Sequence, residues 1–161
     1  MRERRGNGIM LTYPPLEALL PHRAPMILLD GVHDDTEQAI TCKVTLRDTS
    51  PFVENGRVPA VVALEYMAQC VAAYAGLKAF REGTPVRLGY VIGARVVELA
   101  EDQFGVGEEL FVSANRVWGD DLVGNFECRV DSRRRRVATA VLSVFQGVID
   151  EAPIGRAVKR R

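Results

Sequence analysis

A chain of 161 residues with a formal net charge of zero is long enough for one domain with a core of its own. Charge neutrality gives no bulk electrostatic pull toward nucleic acid, which excludes that partner class. Cys42, Cys70 and Cys128 are far apart, odd in number, and belong to no CxxC pair or Cys/His cluster. That pattern argues against a metal site and for a reducing compartment.

In chain order, residues 1–9 read as a flexible basic arm with no long apolar run behind it. No secretory signal is expected, and the location is read as cytoplasmic. Residues 15–20 suit one or two helical turns with Leu16, Leu19 and Leu20 facing inward. Next comes LPHRAPMILLD, residues 20–30, in which Pro21 and Pro25 bracket His22 and Arg23. Each proline fixes its own φ and biases the residue before it toward extended backbone. The result is a stiff segment holding one imidazole in place, leading into an apolar strand over 26–29. By itself, a lone loop histidine such as His22 is more often a surface histidine.

Residues 39–47 alternate Ile40, Cys42, Val44 and Leu46 against Thr41, Lys43, Thr45 and Arg47, the pattern of a half-buried strand. Pro51, Asn55 and Gly56 mark a loop over 49–57. From 58 to 80 the chain is rich in helix formers, with Pro59 suited to a first turn. Apolar residues on every face predict a helix buried on all sides. It is short and Ala-rich for a membrane span, and no membrane contact is expected. Glu65 and Gln69 interrupt the apolar surface one turn apart, on one face. A buried carboxylate has a partner or a task, so Glu65 either pairs with an arginine or performs chemistry.

A break over 81–85 precedes strand-like runs at 86–99, 109–118, 122–130 and 136–148. Turns at 119–121 and 131–135 make the last three an antiparallel meander. The Arg133–Arg136 run fits a solvated hairpin tip better than a nucleic-acid patch. The tail, residues 150–161, is expected to be flexible, leaving 10–149 as the domain. One helix among five or six antiparallel strands is an α+β arrangement in which the sheet curls around the helix. Open sheet edges invite a second copy, so at least a dimer is expected.

The segment Leu20-Pro21-His22-Arg23-Ala24-Pro25 running on to Asp30 resembles the LPHR-x-P signature of the β-hydroxyacyl-acyl-carrier-protein dehydratases of the FabZ/FabA type. Pro59-Ala60-Val61 through Glu65 to Gln69 resembles their Pro-Gly-Val-x-x-x-Glu-x-x-Ala-Gln helix. The closer likeness is to a divergent branch with members linked to aryl-polyene pathways. The resemblance implies a hot-dog fold, an antiparallel sheet wrapped around one central helix. It also implies an acyl carrier protein as partner and a homodimer, or a heterodimer with another hot-dog dehydratase. His22 of one subunit would then meet Glu65 of the other at the interface.

Dehydration of a 3-hydroxyacyl thioester removes a proton from C2 and expels oxygen from C3. An imidazole suits the C2 base near neutral pH, which assigns His22. A carboxyl in apolar surroundings can hold the proton that C3–OH needs, which assigns Glu65. Free N–H groups at Ala60 and Val61, with the helix dipole, would steady charge on the thioester oxygen. Gln69 would hold Glu65 or the leaving water. No metal or redox cofactor is called for. Arg87 and Arg95 are candidate contacts for the carrier, and His33 is expected to be dispensable.

Two departures stand out. The family's Gly-His-Phe-Pro-Gly loop is replaced here by residues 51–58, PFVENGRV, and its helix-start glycine by Ala60. The rival readings are a hot-dog thioesterase and a non-catalytic hot-dog subunit that binds an acyl carrier or an active partner.

Overall fold

The computed structural model describes residues 2–4, 10–133 and 135–147. β1 (Arg2–Arg4) pairs antiparallel with β2 (Met10–Thr12). The segment expected to be a flexible arm therefore contains a ladder, closed by three backbone pairs from Arg2↔Thr12 to Arg4↔Met10. The rest of that arm and the expected tail lie outside the described residues. A single 3₁₀ turn, Leu16–Ala18, follows, and it buries Leu16, Leu19 and Leu20 as their spacing implies.

The remaining elements are β3 (Gly31–Asp35), β4 (Ala39–Thr45), β5 (Arg57–Pro59), a 3₁₀ turn (Ala60–Val62), α1 (Ala63–Glu82), β6 (Gly89–Leu99), β7 (Gln103–Gly105), β8 (Glu109–Gly119), β9 (Val123–Ser132) and β10 (Arg135–Gln146). Six of them form one antiparallel sheet in the order β3-β4-β8-β9-β10-β6. The expected meander is β8-β9-β10, and the alternation over 39–47 buries Ile40, Cys42, Val44 and Leu46. This is the α+β arrangement of a sheet laid around one helix. At the β9–β10 turn, Arg129 and Arg136 pair with Asp131, and Arg135 pairs with Glu101. Arg135 and Arg136 of the arginine run are thus engaged in local ion pairs at a hairpin end.

Three expectations are corrected. Residues 26–29 are not a strand; the strand starts at Gly31, after their polar backbone groups have found other partners. β6 starts at Gly89 rather than at 86. The helix is not covered on all sides. The sheet and the Leu16–Ala18 turn bury Tyr66, Met67, Gln69, Cys70, Ala73 and Leu77, but the row Val61, Glu65, Ala68, Ala72, Ala75, Ala79 stays half-open or exposed. These residues recur every three or four positions and so share one face. By length and composition, Ala60–Glu82 could cross a membrane, yet more than half of its most apolar window is buried inside the protein.

α1 ends in a Schellman motif: Gly83 takes φ +66°, Thr84 N–H donates to Ala79 O, and Gly83 N–H donates to Phe80 O. Gly76 lets the Leu19 backbone lie directly on the helix, because a Cβ there would overlap the Leu19 carbonyl. Gly76→Ala is therefore expected to destabilise the fold by about 1–3 kcal/mol, despite alanine's better helix propensity. That is a fall in Tm of several degrees; an unchanged melt would disprove the close approach.

All three thiols are buried, and Cys70 Sγ donates to Val112 O at 3.2 Å. Burial pushes the Cys128 thiol up to about 12 and the Cys70 thiol well above its ordinary value. Thiolate is the reactive form, so both are inert near neutral pH. Thiol reagents should label none of the three in the native protein and all three after unfolding.

Candidate active site

The site begins with a glutamine. Gln69 is fully buried on α1, and its side-chain amide is engaged at both ends. Oε1 accepts the Leu28 N–H at 2.9 Å, while Nε2 donates to Met26 O at 2.7 Å and to Glu65 Oε1 at 2.9 Å. Those partners leave one assignment of the amide oxygen and nitrogen. They also explain why 26–29 is not a strand: a side chain takes the hydrogen bonds a neighbouring strand would supply. Asp30 fixes the far end of the segment, accepting Thr45 N–H at 2.6 Å and Arg47 Nη1 at 3.0 Å. Sequence reasoning had given Asp30 no role beyond its place in the motif.

At the near end, Arg23 Nη1 donates to the carbonyls of Leu20 (3.1 Å) and His22 (2.7 Å), and Met26 N–H donates to Arg23 O at 2.9 Å. The segment so folded brings His22 Nε2 to 3.8 Å from Glu65 Oε1. The two residues meet within one chain. Gln69 ties the His22 segment to its own helix, so this approach is made within the chain, whereas the expected pairing across an interface concerns a second chain.

Glu65 also differs from expectation in its surroundings. Its side chain is 39% exposed and that of His22 is 32% exposed, since both lie on the open row of α1. The apolar enclosure expected for a protonated acid is absent in the single chain. Glu65 Oε2 enters no hydrogen bond among the described residues. His22 Nδ1, by contrast, is sealed from solvent and has no partner.

The expected oxyanion donors separate. Ala60 N–H is not free: it donates to Asp102 O at 2.9 Å, where β5 meets β7. Val61 N–H has no acceptor among the described residues and stands one turn before Glu65. His33 is elsewhere, on β3, edge-on to Phe111 with ring centroids 4.8 Å apart. The carrier-contact arginines are not beside the pair. Arg87 lines a groove of about 330 Å³ with Lys78, Glu82, Asp120 and Asp121 along the C-terminal half of α1. From Glu65 to that helix end is about 25 Å at 1.5 Å per residue. Arg95 donates to Asn125 Oδ1 at 3.3 Å, reaching from β6 across β10 to β9.

The ApeP-like family model, whose description is ApeP dehydratase, matches residues 14–153. The chain belongs to the ApeP-like dehydratase family. It is 28% identical over 144 residues to the 3-hydroxyacyl-[acyl-carrier-protein] dehydratase FabZ of Brucella ovis, spanning 84% of this chain and 88% of that protein. It is similar to a chain of the dehydratase heterocomplex ApeI:P from Xenorhabdus doucetiae, with a TM-score of 0.82, 29% identity, and 86% and 94% of the two chains covered. A hypothetical thioesterase protein from Streptococcus pneumoniae is 8% identical with a TM-score of 0.57, over 72% of this chain and 84% of its own, and shares the fold alone. The hot-dog architecture, the dehydratase activity and the FabZ-like character read from the two motifs agree with these matches.

For an ApeP-like chain built this way, residue 69 should govern the site. Gln69→Leu strands the Leu28 N–H and the Met26 carbonyl, each at a cost of about 1–3 kcal/mol. Both a lower Tm and a loss of turnover are expected. Gln69→Glu keeps an acceptor for Leu28 but removes the donor and sets a second carboxylate beside Glu65. Its turnover should fall by roughly tenfold or more; wild-type turnover in Gln69→Glu would remove Gln69 from the site.

Proposed function

We propose that this chain removes water from a 3-hydroxyacyl thioester carried by an acyl carrier protein, in fatty-acid or polyene assembly, at the His22–Glu65 pair. The observation that carries this reading is the 3.8 Å approach of His22 Nε2 to the Glu65 carboxylate at the head of a mostly buried helix. Dehydration needs two proton movements at adjacent carbons, and a paired imidazole and carboxylate serve that geometry. The unpartnered Val61 N–H and the positive end of the helix supply a place for charge on the thioester oxygen. The elimination transfers no net electrons and is written here without metal or redox cofactor. The FabZ relatives support the carrier-bound form of the substrate, and the buried free thiols support a reducing, cytoplasmic setting.

A second hot-dog dehydratase is the proposed partner. β6 is an edge strand with Tyr90, Val91, Ile92, Val96, Val97 and Leu99 all exposed, more apolar edge than a monomer ordinarily leaves open. The Xenorhabdus doucetiae heterocomplex supports a non-identical partner.

Mass spectrometry of a 3-hydroxyacyl carrier incubated with the protein and its partner tests the reading. Loss of one water is expected. Release of free acid would mean a thioesterase, and unchanged substrate a non-catalytic subunit. His22→Ala and Glu65→Ala should each lower turnover by roughly 10²-fold or more. Where copies of the chain exchange, mixing these two variants should restore nothing, because every site still lacks one member. Recovery toward about a quarter of wild-type activity would place the two residues on different chains.

A further inference from the structure

We propose that the groove between the second half of α1 and the β8–β9 hairpin end is a docking surface for the chain's own C-terminal segment, residues 148–161. Two hollows of about 480 and 330 Å³ make the groove, and they are continuous, because Tyr74, Lys78, Glu82 and Arg116 line both. The floor is apolar: Tyr74 stands edge-on to Phe126 with ring centroids 5.6 Å apart, beside Val71 and Val144. The outer wall is a firmly held tip. Asp120 Oδ1 accepts the Leu122 and Val123 N–H groups at 2.8 Å each, and Arg116 Nη2 donates to Asp120 O at 3.0 Å. That tip holds Trp118 at 63% and Leu122 at 53% exposure. An indole and a leucine left in water on a fixed turn are unfavourable, and such a patch marks a contact surface.

The charges on the rim decide the occupant. Arg81 is spent on Asp35, which it grips through both Nη atoms at 2.6 and 3.1 Å. Lys78 and Arg87 enter no ion pair among the described residues, and neither do Glu37, Glu82 and Asp121. An occupant of one sign, such as a polyphosphate or an acidic protein face, meets repulsion from part of that rim. A segment with both signs in separate blocks does not. Residues 148–161, VIDEAPIGRAVKRR, carry Asp150 and Glu151 first, Ile154 next, and then Arg156, Lys159, Arg160 and Arg161. The segment also starts in the right place. Gln146, the last residue of β10, lines the smaller hollow, and its N–H donates to Leu122 O at 2.7 Å. The chain therefore leaves the sheet at the groove, where Asp150 and Glu151 come first upon Lys78 and Arg87. The basic block then meets Glu37 and the Trp118 ring in the larger hollow, where a cation gains from the indole face. Tyr74 to Glu82 is about 12 Å of helix at 1.5 Å per residue. At about 3.3 Å per extended residue, 148–161 is ample to cross it. Tethering raises its effective concentration to about the millimolar range, so weak contacts suffice.

Trp118 is the only tryptophan of the chain, so its fluorescence reports on this surface alone. Acrylamide quenching is compared between the full chain and a chain ending at Gly147, with circular dichroism and Tm as the check that both are folded. Covering half of the exposed indole halves its collisions with the quencher. Truncation is therefore expected to raise the quenching constant about twofold and to move the emission to the red. Asp150→Lys combined with Glu151→Lys, in the full-length chain, should do the same. Equal quenching in the full and the shortened chain would overturn the proposal. So would shielding that survives truncation and grows with protein concentration, which would put a second copy in the groove. Shielding unchanged by the two lysines would break the charge pairing on which the docking rests. Turnover is read in no arm, so the outcome stands apart from the dehydratase reading.

Discussion

One amide holds this site together. Gln69 is buried at the middle of the molecule, where an unpaired polar group costs more than a made hydrogen bond returns. Its partners are dictated by that penalty: a carbonyl and an N–H from the 26–28 backbone, and a carboxylate one helical turn away. The backbone from 26 to 28 can therefore run free of the sheet with the Met26 carbonyl and the Leu28 N–H met, which carries the Pro-bracketed His22 across the head of α1. Asp30 repeats the device at the edge of the sheet with a backbone N–H and a guanidinium. The imidazole is set by hydrogen bonds at both ends of its segment together with the buried Leu20, Leu28 and Leu29.

The same fold leaves specific surfaces unfinished. α1 is sheathed where it meets the sheet but open along its alanine-rich row, and β6 carries apolar residues into solvent on a free edge. That edge is not flat. The β6–β10 ladder slips register between Thr139 and Val141 and again between Ser143 and Val144. Val96 in β6 holds φ +49°, a conformation that costs a β-branched residue about 1–3 kcal/mol. Bulges twist an edge strand and limit which strands can add to it. An apolar edge shaped this way favours one matching partner over indiscriminate stacking.

Much of this was legible in the order of residues. Strict alternation over 39–47 gave β4 and its buried face, and two turn clusters gave the β8-β9-β10 meander. Pro21, His22, Pro25, Glu65 and Gln69 marked the site, because prolines restrict backbone locally and polar residues on an apolar helix stand out. Two of the failures share one cause: hydrogen bonds between segments distant in sequence. The run 26–29 has a strand's composition, but Gln69, some 40 positions on, claims its backbone. Ala60 has a helix-start N–H, but Asp102 accepts it, through a β5–β7 pair of three residues each that is too short to leave a pattern. Apolar residues around the whole helix implied complete burial, yet composition cannot tell a face covered by its own sheet from one left for another chain.

That last distinction bears on the chemistry. A carboxylate and an imidazole that are each about one-third exposed sit close to water, where charges interact weakly and a proton can be lost to solvent. The hydrogen bond from Gln69 orients Glu65 but does not dry it. The helix face carrying Val61, Glu65 and Ala68 is among those the sheet leaves open. Whatever covers that row also removes water from the pair and from the free Val61 N–H. Geometry within the pair is held by hydrogen bonds inside the chain, whereas its dielectric depends on how far that row is covered. Covering the row would strengthen every interaction that the carboxylate makes with its substrate.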